Sequence, residues 1–278
     1  MGIFDLFRAK APEAPQSLPV GPVSAYGRRF AVDRARMFDL EATQRLAGLF
    51  TVPDGERDPA WIQAFFDTTW NASVTIPDPP HFDGPDGLPY YRLNLPRAGE
   101  EFDSQSLSNL AGTCVELNAG AAFYSGPDDP ETSSQYVIPM GTLDSLLRYD
   151  SPDGDPIDRA EAADGAALRS VLIGEGEEML IATPSPDFLP AYGARALHRY
   201  MTRVWNIAEP RVQLMVNGTL RPTRNLVIGR KRSEFATEAE VERELRMLFW
   251  FLPPQRGIVL MPEDWAPSDM TRLTDLFE

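Results

Sequence analysis

Behind Asp58-Pro59 the positions Trp61, Ile62, Phe65, Phe66 and Thr69 recur at three- and four-residue intervals. That spacing predicts an amphipathic helix to about Trp70, with Asp58 as its cap and Pro59 in its first turn. β-Branched and aromatic runs predict strands at Ala72–Ile76 and Tyr90–Leu95, separated by a turn-rich loop over Pro77–Gly87. Ser104–Leu110 reads as a helix, Cys114–Leu117 and Ala121–Tyr124 as short strands, and Gln135–Pro139 as a strand leading into a helix over Thr142–Tyr149. Ser151–Asp164 is acidic, polar and bears Pro and Gly, the composition of a boundary between folding units. Beyond it, strands are predicted at Ala167–Ile173 and Glu178–Thr183, followed by a helix from about Phe188 to Trp205. Strands at Arg211–Val216 and Asn225–Gly229 are joined through the turn signal Asn217-Gly218. Thr237 with Glu240 three residues on is a capping box, opening a helix to Leu252 that Pro253-Pro254 stops. A strand at Gly257–Met261 and a terminal helix over Ser268–Phe277 complete the pattern.

This order predicts an α/β protein of the α+β type with two lobes, each a small mixed sheet with helices packed on it. The C-terminal lobe reads ββαββαβ plus the terminal helix. The expected divisions are a flexible segment over 1–24, an N-terminal α/β domain over 25–150, an acidic linker over 151–165 and a C-terminal α/β domain over 166–278. A chain of 278 residues with 43% hydrophobic content can bury a core in each. Met1–Lys10 lacks the basic and apolar regions of a secretory leader, and no apolar run approaches the ~18–20 residues that span a bilayer. A cytoplasmic location is therefore expected, with no transmembrane segment.

The succession of segments resembles the bacterial enhanced-serine-sensitivity (SseB-like) proteins, built of an N-terminal and a C-terminal domain. The resemblance is carried by Ala64-Phe65-Phe66 leading to Val74-Thr75-Ile76-Pro77, and by Tyr136-Val137-Ile138-Pro139 before a Leu-rich helix. Val171-Leu172-Ile173-Gly174, Leu180-Ile181 and Asn225-Leu226-Val227-Ile228-Gly229 continue it, from Asp58 to Asp264 in all. The Pro/Asp loop at Pro77–Gly87 and an acidic insertion at Ser125–Thr132 depart from the pattern. What the resemblance implies is a fold and a non-enzymatic role, with no catalytic residue or cofactor to carry over.

The residues themselves point the same way. There is no G-x-S-x-G elbow, Walker A loop or H-E-x-x-H, and Gly174-Glu175-Gly176-Glu177-Glu178 fails the dinucleotide fingerprint at its third glycine. One cysteine and two histidines exclude an intramolecular disulfide, a Cys-pair zinc site and any site needing several imidazoles. Asp78, His81, Asp83 and Asp86 could be hard-metal ligands, but Asp beside Pro and Gly is ordinary turn chemistry. Asp150, Asp153, Asp155, Asp158 and Glu161 lack EF-hand spacing and read as a solvated linker. Cys114 reads as a buried structural thiol rather than a nucleophile. No metal and no cofactor are expected.

Charge is distributed unevenly. The chain carries a net charge of −15, which disfavours nucleic acid as a partner, yet Phe188–Arg232 carries nine basic residues against the single acid Glu209. That span is +8 and the remainder is −23. Arg195, Arg199 and Arg203 share one helix face, Arg221 and Arg224 fall between two strands, and Arg230, Lys231 and Arg232 follow the second. These eight are the candidate anion- or partner-binding set, since guanidinium suits carboxylate and phosphate. Met247, Trp250 and Phe251 lie off the core stripe of their helix and need a second cover, either burial between two lobes or a partner, for which they are the candidate hydrophobic interface. The function expected is a non-enzymatic protein-interaction or regulatory module that meets another protein with an acidic surface. The alternative is an enzyme using carboxylates and Arg in an inter-lobe cleft, which would join a carboxyl of raised pKa to an arginine cluster.

Overall fold

The computed structural model describes the backbone of residues 8–10 and residues 38–97, 99–125, 134–163, 179–218 and 220–278. The expected strand over Ala167–Ile173, the Gly174–Glu178 motif and nearly all of the segment 1–24 lie outside them. The chain divides into two compact units, Met1–Pro139 and Met140–Glu278. Each is an α/β unit with helices and a small mixed sheet.

In the first unit Arg8–Lys10 (β1) precedes helices α1 (Leu40–Leu49) and α2 (Pro59–Thr69). Both helices begin on an aspartate cap: Asp39 accepts from the Ala42 N–H at 3.0 Å and Asp58 from the Trp61 N–H at 2.8 Å. Strands β2 (Ser73–Val74), β3 (His81–Asp83), β4 (Pro89–Asn94), β5 (Glu101–Asp103) and β6 (Gln105–Ser106) follow, then α3 (Leu107–Glu116), β7 (Gly120–Tyr124) and β8 (Tyr136–Ile138). The main sheet runs β3-β4-β7-β8, with β4 and β7 parallel and the outer pairs antiparallel. A parallel pair requires a crossover, and α3 supplies it. The expected strand over Cys114–Leu117 is instead the end of α3, because Leu107, Leu110, Ala111, Cys114 and Val115 form one buried helical stripe. The Pro77–Gly87 loop contains β3, and its Asp86 does turn work by accepting from the Leu88 N–H and the Tyr90 hydroxyl. Trp61, Phe65, Phe123 and Tyr136 form the aromatic centre, with Phe65 and Tyr136 centroids 4.2 Å apart.

The second unit comprises α4 (Met140–Tyr149), α5 (Pro156–Ala163), β9 (Leu180–Ala182), α6 (Ala191–Arg203), β10 (Arg211–Val216), β11 (Arg224–Lys231), α7 (Glu238–Phe249), β12 (Gly257–Met261) and β13 (Thr271–Arg272). Its sheet runs β12-β11-β10, and β9 and β13 both pair antiparallel with β10 along its other edge. β10 and β11 form the expected hairpin, and α7 carries the chain across to β12, parallel to β11. Thr237 caps α7 as expected, while Glu240 reaches the Ala236 N–H. Both units thus share one kernel: an antiparallel pair, a crossover helix, and a third strand parallel to the second.

Two expectations for this unit are corrected. The terminal helix over Ser268–Phe277 is replaced by short 3₁₀ turns around β13, whose pairing with β10 brings Met270 and Leu273 into the core. The division of the chain falls at Pro139/Met140, and the described part of the expected acidic linker 151–165, residues 151–163, belongs to the second unit. Ser151, Asp155 and Asp158 are buried there, and the Ser145 hydroxyl of α4 donates to the Ser151 carbonyl and accepts from the Gly154 N–H.

Candidate functional site

The eight basic residues singled out in the sequence meet different fates in the second unit. Arg224 pairs with Asp158 at 2.7 Å and Asp155 at 3.1 Å. Arg230 lies over Phe235 at 3.7 Å and Trp205 at 5.0 Å. The Lys231 ammonium donates to the Glu263 carbonyl, and Arg232 pairs with Glu238. Arg221 donates to the main-chain carbonyls of Gly218 and Leu220. Arg195 is half-buried on α6. Arg199 and Arg203, one turn apart on α6, are exposed, and among the described residues neither has an ion-pair partner. Next to them Val204 is 57% exposed.

The hydrophobic interface expected at Met247, Trp250 and Phe251 is not available as such. Trp250 and Phe251 are 8% and 4% exposed, and Met247 is half-buried. The Phe251 ring packs on Tyr200 at 5.3 Å and on Trp250 at 4.9 Å, so the end of α7 is covered on the sides that the helical pattern left open.

A residue outside the candidate set organises the interior. Arg256, 1% exposed, donates from Nε to Asp158 at 3.1 Å, from one Nη to the Phe188 carbonyl and from the other to the Tyr149 hydroxyl at 3.4 Å. Its guanidinium lies 4.1 Å from the Phe188 ring centroid, and Arg224 rides the same ring at 5.8 Å. Opposite them stand Asp155, just before α5, and Asp158 and Glu161 on it, with Glu161 accepting from the N–H of Thr223 at 2.6 Å and its hydroxyl at 2.8 Å. A second buried group joins Asp144 to Arg148 at 3.2 Å and to the Tyr192 hydroxyl.

Electrostatics follow from burial and pairing. Burial raises Asp158 despite Arg256 and Arg224 beside it, and raises Asp144 despite Arg148. Burial also pushes Asp155 up, but the Ile157 N–H and Arg224 outweigh it and hold the carboxyl low. A carboxyl of raised pKa beside arginines is what the enzyme alternative expects. Here, though, Asp158 is 0% exposed with both oxygens facing guanidiniums of the same chain. Burial takes the Cys114 thiol up to about 12, which leaves it protonated and inert as a nucleophile. Among the described residues no group of three or more His, Cys, Asp or Glu could hold a metal ion.

Glu244 on α7 accepts from the Trp205 indole at 2.6 Å, Arg243 at 2.9 Å and the Tyr200 hydroxyl at 3.0 Å. Burial pushes its carboxyl up, and these donors outweigh burial and hold it below its ordinary 4.5. A depressed folded value contributes stability that is complete above 4.5 and lost as pH falls through the folded value. The melting temperature followed by circular dichroism should therefore drop on acidification through that window, and less steeply in Glu244→Gln. Equal acid slopes in the two proteins would contradict the assignment.

No protein-family model, no curated protein and no solved structure matches this chain. No helix among the described residues is long and apolar enough to cross a membrane.

Proposed function

We propose that this protein works by binding, as a non-enzymatic cytoplasmic interaction or regulatory module whose α6 presents Arg199 and Arg203 to an acidic surface on another protein. The carrying observation is the pair itself: two exposed arginines one turn apart with no ion-pair partner among the described residues, in a chain of net charge −15. Like charges at this spacing cost an isolated helix about 0.2–0.5 kcal/mol, so their juxtaposition itself does not stabilise the fold. An acidic partner relieves that repulsion, and Val204 offers apolar contact at the rim. The order of segments that resembles the SseB-like proteins supports a non-enzymatic role.

The test is a pull-down from native cells with mass-spectrometric identification, comparing the unaltered chain with Arg199→Glu/Arg203→Glu. A protein with an acidic surface should be retained by the unaltered chain and lost from the variant and at high salt, where screening shortens to about 3 Å at 1 M. Because both side chains are exposed, the melting temperature should hardly move. Identical sets of retained proteins would sink the proposal.

A further inference from the structure

Helix α5 is inside out. Its one large apolar residue, Ile157, is 53% exposed and Ala160 is exposed, while Asp158 is 0% exposed, Asp155 is buried and Glu161 is half-buried. The three carboxylates stand at i, i+3 and i+6, Asp155 on the residue before the helix and Asp158 and Glu161 one turn apart within it. The helix is therefore seated by charge and hydrogen bonding where an ordinary helix of a globular unit is seated by apolar area. At 8 residues it is too short to be stable on its own.

The surface that receives these carboxylates is organised by contacts outside α5. Besides the acids, Arg256 has the Phe188 carbonyl, the Phe188 ring and the Tyr149 hydroxyl as partners. Arg224 rides the same ring, and Thr223 supplies an N–H and a hydroxyl from the turn that enters β11. Asn225 bonds the Pro222 carbonyl at 2.9 Å and pins that turn. Arg256, held from outside α5, together with the Arg224 guanidinium and a main-chain amide, makes a receptor for two or three carboxylates at helical spacing. Phosphate suits the forks equally, but not the spread of three acceptors along one helix face. The anchor of α5 is separate from this ionic seat: it lies before the helix, at Ser151 and Gly154, where the Ser145 hydroxyl holds the turn.

We propose that Arg224, Arg256 and Thr223 form a docking site for an acidic helical segment of another protein, and that α5 is the chain's own competing occupant. An incoming segment with carboxylates at i, i+3 and i+6 takes the same donors, and α5 swings out on the Ser151–Gly154 turn. The exchange trades like contacts for like, so it costs little beyond ordering the incoming helix. These residues differ from the α6 pair, and the two proposals stand or fall separately.

The experiment uses the full chain and a fluorescein-labelled peptide copying residues 150–163, followed by anisotropy. Neutralising the internal occupant with Asp155→Asn/Asp158→Asn/Glu161→Gln should raise affinity for the peptide at least tenfold over the unaltered chain. A peptide carrying the same three neutral residues should bind neither protein. Adding Arg224→Ala to the neutralised chain should abolish binding, whereas adding Arg199→Glu/Arg203→Glu should leave it intact. Equal binding to the unaltered and neutralised chains, or binding that survives Arg224→Ala, would overturn the proposal. Should the neutralised chain fail to fold, hydrogen exchange on the unaltered chain decides. Amides of α5 should exchange at least a hundredfold faster than those of β11, and protection equal to that of β11 would show that α5 does not leave its seat.

Discussion

Arg256→Ala is expected to cost the second unit about 3–5 kcal/mol, read from urea denaturation as a shift in midpoint with little change in slope. The loss has two parts. Asp158, fully buried, keeps Arg224 as its one charged partner among the described residues, and the Phe188 carbonyl loses the guanidinium donor that Arg256 gives it. A buried carboxylate stripped of one of two cations is an uncompensated charge, and that, rather than the worth of the ion pair as such, sets the magnitude. Arg256→Lys should recover only part, because one ammonium cannot reach Asp158, Phe188 and Tyr149 from three nitrogens at once. As a control, Arg203→Ala on the exposed face of α6 should stay within about 0.5 kcal/mol. An Arg256→Ala cost as small as the control's would mean that water reaches this network freely.

Gly141→Ala should be comparably severe, for a steric reason. Gly141, near the start of α4, donates its N–H to the Trp250 carbonyl at 2.9 Å, and a Cβ built on it would lie 1.8 Å from the Leu252 carbonyl oxygen. The atom in the way is backbone, so no rotamer change relieves it; helix and turn must separate, which gives up the hydrogen bond and the packing of Leu252. A loss of about 3 kcal/mol, at the upper end of overpacking costs, or failure to fold is expected. Gly112→Ala is the contrast: in the middle of α3 a Cβ there meets nothing within 4 Å, so the change should stabilise by about 0.5–1 kcal/mol through the unfolded chain's entropy. Thermal melts of the two variants beside the unaltered protein check both signs.

Much of the fold was legible because it is decided locally. Asp58-Pro59 and Thr237 start helices because a side-chain oxygen three residues back can satisfy a free N–H wherever the chain goes next. The apolar stretches that became β4, β7, β10, β11 and β12 announce themselves by residue type. Short segments were less legible. Cys114–Leu117 is apolar enough for a strand, and only its register with Leu107 and Leu110 makes it helix. The end of the chain looks amphipathic at helical spacing, yet Thr271 and Arg272 found a free edge on β10.

The charges were the least legible part, and the reason is distance along the chain. Counting gives +8 for Phe188–Arg232 but cannot say which cation is spent inside the fold. Asp158 meets Arg224 66 residues away and Arg256 98 residues away, and no local pattern encodes either meeting. Three of the acids that look like a solvated linker, Asp155, Asp158 and Glu161, seat α5, because a carboxylate is stable in water or against buried guanidiniums, and the sequence around it is the same in both cases. Composition therefore settled that this is an acidic α/β chain with a basic segment. Packing alone chose Arg256 as the organiser, buried Trp250 and Phe251, and left Arg199 and Arg203 facing outward, since pairing depends on which distant residues the sheet and helices bring within about 4 Å.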